Sequence, residues 1–206
     1  MNRSVALVLS VVFQPLLIPT LVYGLLLYVV PESTSIHEGL KFWIFCSIVL
    51  ATLLIPMITI FGLRLSGSLR SLHMPEVRDR RLPFVITTVF FVITTFFLKQ
   101  NTVFDPVLWL GMAVICTSVV LLTAVSFFWK MSAHMTGLGG LLAVVIVLAR
   151  KFPNFDALYP LLGVLILCGL VASARLSLQA HRPLEIYAGL ATGFLVCWFG
   201  FNWIWT

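Results

Sequence analysis

Seven stretches of this chain are long and apolar enough to cross a bilayer, and little sequence is left between them. They lie at about Val5–Val30, Phe42–Leu63, Pro83–Leu98, Val107–Phe128, Met135–Leu148, Ala157–Ala174 and Ile186–Trp205. A helical crossing needs about 20 apolar residues, so the short third and fifth stretches must borrow a turn from their flanks. In lipid every backbone N–H and C=O has to be paired within its own segment, which makes each stretch a helix. The expected fold is all-α, a polytopic transmembrane helix bundle of six to seven helices forming a single transmembrane domain over residues 1–206. The count turns on the first stretch, which contains Gln14, Pro15 and Pro19. A proline-kinked crossing gives seven helices and a re-entrant hairpin gives six.

Composition excludes the soluble classes. Charged residues make up 10% of the 206 and hydrophobic ones 61%, against about 25% charged in an ordinary soluble domain. The formal net charge of +6 comes from few residues clustered in short loops. Without a basic arm or soluble module, nucleic acid is excluded as a partner; membrane lipids and phosphorylated lipids fit such loops better. Nothing in the sequence points to a protein partner. Cys46, Cys116, Cys168 and Cys197 each sit inside an apolar run, with no CxxC pair, and are expected to pack rather than bridge or bind zinc. The basic start of the first stretch lacks a small-x-small cleavage site and reads as a retained membrane segment. Trp198, Trp203 and Trp205 near the C-terminus are expected at a membrane–water interface.

Three loops hold most of the polarity: Arg64 to Leu82, running into the string HMPEVRDRRLP that spans His73 to Pro83; Lys130 to His134, KMSAH; and Ala174 to Glu185, ARLSLQAHRPLE. Two stretches separate each loop from the next. An even number of crossings returns the chain to the same side, so all three can meet whether or not the first stretch crosses.

Their residue types suit a phosphate. His181 and Glu185 are four residues apart and share a helix face, provided that Pro183 lies in the first turn. A carboxylate on one ring nitrogen leaves the other nitrogen's lone pair free for attack. Arg175 is within reach of the same phosphate. His134 opens the fifth stretch, where it can protonate a leaving oxygen and where the helix start favours an anion. Arg78, Arg80, Arg81 and Lys130 add positive charge. Gly137, Gly139 and Gly140 are expected to permit close helix packing, and Ser132 has the character of a helix cap.

The order and spacing of these residues resemble the type 2 phosphatidic acid phosphatase superfamily, which includes vanadium haloperoxidases. Its motifs are Lys-x6-Arg-Pro, Pro-Ser-Gly-His and Ser-Arg-x5-His-x3-Asp. The third resembles Ala174, Arg175, His181 and Glu185 at the same spacing, with Ala for Ser and Glu for Asp. The second resembles Met131–His134, with Ala133 for Gly. The Arg78–Pro83 stretch lies where the first belongs but lacks its spacing. The resemblance covers roughly Arg78 to Glu185. It implies that His181 attacks phosphorus to form a phosphohistidine, with Glu185 orienting it. It also implies that His134 protonates the leaving group and later activates water. Arg175, Arg78 and Arg81 would hold the equatorial oxygens, with Lys130 and Ser132 as further substrate-binding residues. No metal or other cofactor is implied.

The expected function is therefore hydrolysis of a lipid phosphate or diphosphate. The alternative is a binding or transport protein that retains the pocket without turnover. A metal enzyme using His134, His181 and Glu185 fits less well, because arginines would ring a cation. Positive charge does not choose a face: Arg64, Arg70 and Arg182 lie on one side and Lys41, Lys99, Arg150 and Lys151 on the other. The apolar stretches make this a multi-pass cell-membrane protein, in the inner membrane if the source is a Gram-negative bacterium, and the resemblance implies an outward-facing site.

Overall fold

The computed structural model describes residues 1–69, 77–101 and 104–206. Seven of its helices are long and apolar enough to cross a membrane, and no strand occurs among the described residues. The chain is a multi-pass membrane protein.

The first crossing is broken. Helix α1 (Arg3–Val12) stops at Phe13, and a tight turn over Pro15–Leu17 leads into α2 (Ile18–Gly24), which widens into a π turn through Val29. The cause is local. Pro15 has no N–H to offer, and it pushes Gln14 into an extended conformation (φ −65°, ψ 150°). The segment still crosses. At one end the Ser177 hydroxyl donates to the Met1 carbonyl (3.3 Å). At the other, the Ser35 N–H and hydroxyl both donate to Asp105 (2.7 and 2.6 Å). The kinked crossing, rather than the hairpin, is what forms.

The second crossing joins α3 (Glu38–Val49) to α4 (Ile55–Leu65) through a π turn over Leu50–Leu54. Five single helices follow: α5 (Val77–Gln100), α6 (Pro106–Val125), α7 (Ala133–Lys151), α8 (Leu158–Ser177) and α9 (Pro183–Ile204). The two short apolar stretches gain their extra turns, α5 by starting six residues before Pro83.

Helix α7 is the hub. About two thirds of its apolar stretch is buried (67%), against 17% for α8 at the periphery. Lipid tails are as apolar as leucine, so burial drives helix association weakly in a bilayer, and close approach through small residues replaces it. Here α7 and α9 start at the same end and run parallel with their backbones in contact. A Cβ on Gly193 would overlap the Thr136 carbonyl, one on Gly139 the Leu190 carbonyl, and one on Gly189 would sit 2.6 Å from the Ser132 carbonyl. Gly139 packs helices as expected, joined on α9 by Gly189 and Gly193, which were not among the glycines expected to do so. Gly193→Ala is expected to lower thermal stability in detergent by about 1–3 kcal/mol, roughly 2–12 °C. Gly163→Ala and Gly169→Ala on α8, where a Cβ meets nothing within 4 Å, are expected to leave the melting temperature within a degree or so, or raise it slightly. Equal shifts for all three would refute the account of the α7–α9 contact.

Candidate functional site

The starts of α5, α7 and α9, the end of α8 and the loop before α7 gather at one end of the bundle. Chain reversal between α8 and α9 is made by the backbone. Gln179 takes a left-handed conformation (φ 51°). Its N–H donates to Leu176 O (2.9 Å), and the Ala180 N–H donates to Arg175 O (3.0 Å). This paired closure satisfies the last carbonyls of α8. It leaves Arg175 within the final turn of α8 and delivers His181 beside α9.

His181 is buried and held on both ring nitrogens. Its Nδ1 lies 2.9 Å from Glu185 Oε2 and 3.0 Å from the Lys130 carbonyl. Both partners are acceptors, so Nδ1 carries the hydrogen and Nε2 has the lone pair. The Arg80 guanidinium donates to Nε2 at 3.4 Å. Burial, then the Arg80 and Arg175 charges, push the His181 pKa down to about 3. Both effects favour the neutral ring, whose Nε2 lone pair is turned to a cation. Glu185 also holds its own helix start. Its Oε2 accepts the Arg182 N–H (3.1 Å), closing the first turn of α9, where Pro183 sits harmlessly at the first helical position.

His134 is the second residue of α7, and its Nε2 donates to the Ser10 carbonyl of α1 (2.9 Å). The Arg175 side chain makes no hydrogen bond or ion pair among the described residues, and its Nε is buried without a partner. Lys130 has its pKa lowered by burial and then by Arg80.

These groups ring the polar mouth of a cavity of about 870 Å³. Arg80, Lys130, Arg175, His134 and His181 lie at one end, joined by Arg3 from α1. Inward the walls turn apolar, with Met57, Phe84, Phe91, Ile115 and Val119. A second hollow of about 590 Å³, lined by Trp129, Arg182 and Glu185, shares Lys130 and His181 with the first. His181 thus stands between an apolar chamber and an outer vestibule. No group of three metal-ligating side chains gathers among the described residues.

Of the expected site residues, His181, Glu185, His134, Arg175 and Lys130 come together. Three do not join them. Arg78 is exposed. Arg81 donates to the Phe127 carbonyl (2.8 Å) and lies over the Phe127 ring. Ser132 is fully buried and caps α7, accepting the Met135 N–H (3.4 Å). The arginine that does face His181 is Arg80. The helix begins at Val77, so Arg78, Arg80 and Arg81 point in different directions, and only Arg80 shares the face of Pro83, Phe84, Thr87 and Phe91. That spacing is a signal in the sequence, visible once the helix is carried back past Pro83. The Ser10 carbonyl and Arg3 had no such signal. Arg70 and residues 73–76, part of the first polar loop, lie outside the described residues. No known protein family, curated protein or solved structure matches the chain.

Proposed function

We propose that this chain is a membrane phosphatase that hydrolyses a lipid phosphate or diphosphate through a phosphohistidine, acting in the cell membrane. The observation that carries the reading is the orientation of the His181 ring. Glu185 fixes its Nδ1–H while Nε2 faces Arg80, at the point where a cationic mouth meets an apolar chamber. A phosphate headgroup suits the mouth and an acyl or prenyl chain suits the chamber.

In the first step the Nε2 lone pair forms an N–P bond as the bond from phosphorus to the leaving oxygen breaks, and His134 gives that oxygen a proton. Arg80, Arg175 and Lys130 hold the three equatorial oxygens, where transition-state charge collects. The phosphoryl group must come between Arg80 and Nε2, which exchanges one charge-assisted contact for several. Water then attacks phosphorus, its proton passes to His134, and the N–P pair returns to Nε2. A non-catalytic phosphate binder is the second reading. It is favoured by the resting contact of Arg80 with Nε2, which must yield for turnover.

Phosphate release by the purified protein from chain-bearing and water-soluble phosphates separates the two. Catalysis is expected with a preference for the chain-bearing substrates, and Arg175→Ala is expected to lower kcat/KM by about 10²–10³-fold. Binding without release, at a rate equal to that of His181→Ala, would leave only the binder.

A further inference from the structure

We propose that the proline break in the first crossing is a positioning device for His134: the Ser10 carbonyl of α1 holds Nε2–H, so that Nδ1 is the nitrogen that exchanges the proton with the leaving group. This rests on the phosphatase reading above.

The last four carbonyls of a helix have no partner within it. At the end of α1 the Leu9 carbonyl is taken by the Phe13 N–H. Ser10 would next be paired by Gln14 and Val11 by residue 15. Phe13 instead leaves the helical conformation (φ −96°, ψ 44°), which turns the Gln14 N–H away, and Pro15 has no N–H, so neither pairing forms. The freed Ser10 carbonyl accepts the Nε2–H of His134 at 2.9 Å. A hydrogen bond at one ring nitrogen sets the tautomer at the other, so it leaves Nδ1 to accept and return protons.

Both partners are anchored. The backbone of α7 is locked to α9 through glycine contacts. Helix α1 is tied to the end of α8 by the Ser177 bond to Met1, and its far end is tied to α4 by the Gln14 amide on Met57 Sδ (3.4 Å). One face of α1, with Arg3, Leu7 and Ser10, also walls the cavity, as does Gln14 just beyond its end. On binding, the substrate's phosphate monoanion hands its proton to Nδ1; in the reaction that proton moves to the leaving oxygen, which keeps the electron pair of the broken P–O bond. The Nε2 proton stays on Ser10. A proton from the attacking water restores Nδ1.

Pro15→Ala supplies the missing N–H and lets α1 run on, withdrawing the carbonyl from His134. Turnover of alkyl phosphates, whose leaving oxygens need a proton, is expected to fall about 10–100-fold, part of the full effect of a lost acid. Turnover of p-nitrophenyl phosphate, whose leaving group needs little help, is expected to stay within about twofold. His134→Ala should show the same pattern, and the double variant should lose no more than His134→Ala alone. A second variant spares the proline: an α-hydroxy acid in place of Val11 turns the Ser10–Val11 link into an ester, whose carbonyl accepts more weakly, and the same selectivity is expected. Equal losses across leaving groups, or losses that add to those of His134→Ala, would overturn the proposal. Nitrogen NMR of the His134 ring tests the hydrogen bond apart from catalysis. Wild-type protein with its proton on Nδ1 overturns the positioning role even in an active enzyme. The expected tautomer in a protein that hydrolyses nothing overturns the phosphatase reading and the acid role with it.

Discussion

His181→Ala should abolish phosphate release, by about 10⁴-fold or more, and with it any acid-labile phosphoprotein trapped by rapid quenching. Loss of a nucleophile that acts as one unit with its partners has effects on this scale. The substitution removes a side chain that is almost wholly enclosed, yet the helices that hold it meet through other contacts: α9 is anchored to α7 by its glycines and capped by Glu185 on the Arg182 N–H. Thermal stability is therefore expected to fall far less than activity. The pH profile gives a second check. An ordinary histidine gains its proton near pH 6.5, and an imidazolium cannot attack. Burial and the two arginines lower the His181 pKa to about 3, so its neutral form persists through mildly acidic solution. If kcat/KM falls at acid pH, the limb should belong to another group, and it should survive in a variant that raises the His181 pKa only slightly. Retained turnover in His181→Ala, or a phosphoprotein that is unchanged, would end the phosphohistidine assignment.

Glu185→Gln is the second large effect. Glutamine keeps the length and one carbonyl oxygen, enough to accept both the Arg182 N–H and the His181 Nδ1–H that now share Oε2. What disappears is the negative charge that steadies the ring as positive charge builds on it during attack. Turnover is expected to fall about 10²–10⁴-fold, the scale seen when a histidine-orienting carboxylate is neutralised elsewhere, while folding and phosphate affinity stay close to wild type. Glu185→Asp keeps the charge but shortens the reach to two donors. It should retain more activity than Glu185→Gln and lose some helix stability. Single-turnover hydrolysis beside phosphate binding distinguishes these. Near-normal hydrolysis by Glu185→Gln would make Glu185 a helix cap and no more.

The crossings were legible because lipid leaves so few solutions: apolar length alone marks each helix. The four-residue step from His181 to Glu185 was legible for the same kind of reason, since a helix turns it into a contact. Arg80 was harder. Treated as part of a loop, Arg78, Arg80 and Arg81 are equivalent; on a helix they point in different directions, and the helix boundary decides which one meets the histidine. The Ser10 contact with His134 joins residues 124 apart in sequence through a backbone oxygen. No side-chain pattern encodes such a pairing, and it depends on where the first crossing breaks and how it tilts. Pro15 marked the break but not the ring that would use it.

The left-handed closure at Gln179 gives the Arg-x5-His interval a mechanical meaning. Arg175 and Ala180 are joined by the closing hydrogen bond, and Leu176 and Gln179 by the inner one, so the five residues between Arg175 and His181 are the length of one helix stop. Core packing constrains their identities little, since Leu176, Ser177 and Gln179 are exposed, although Ser177 holds Met1 and residue 179 must tolerate a left-handed backbone. Their number is not, because one residue more or fewer would unhook His181 from Glu185 and turn Arg175 away from the cavity. A ruler of this kind is invisible to comparison by side chain and is read instead by counting.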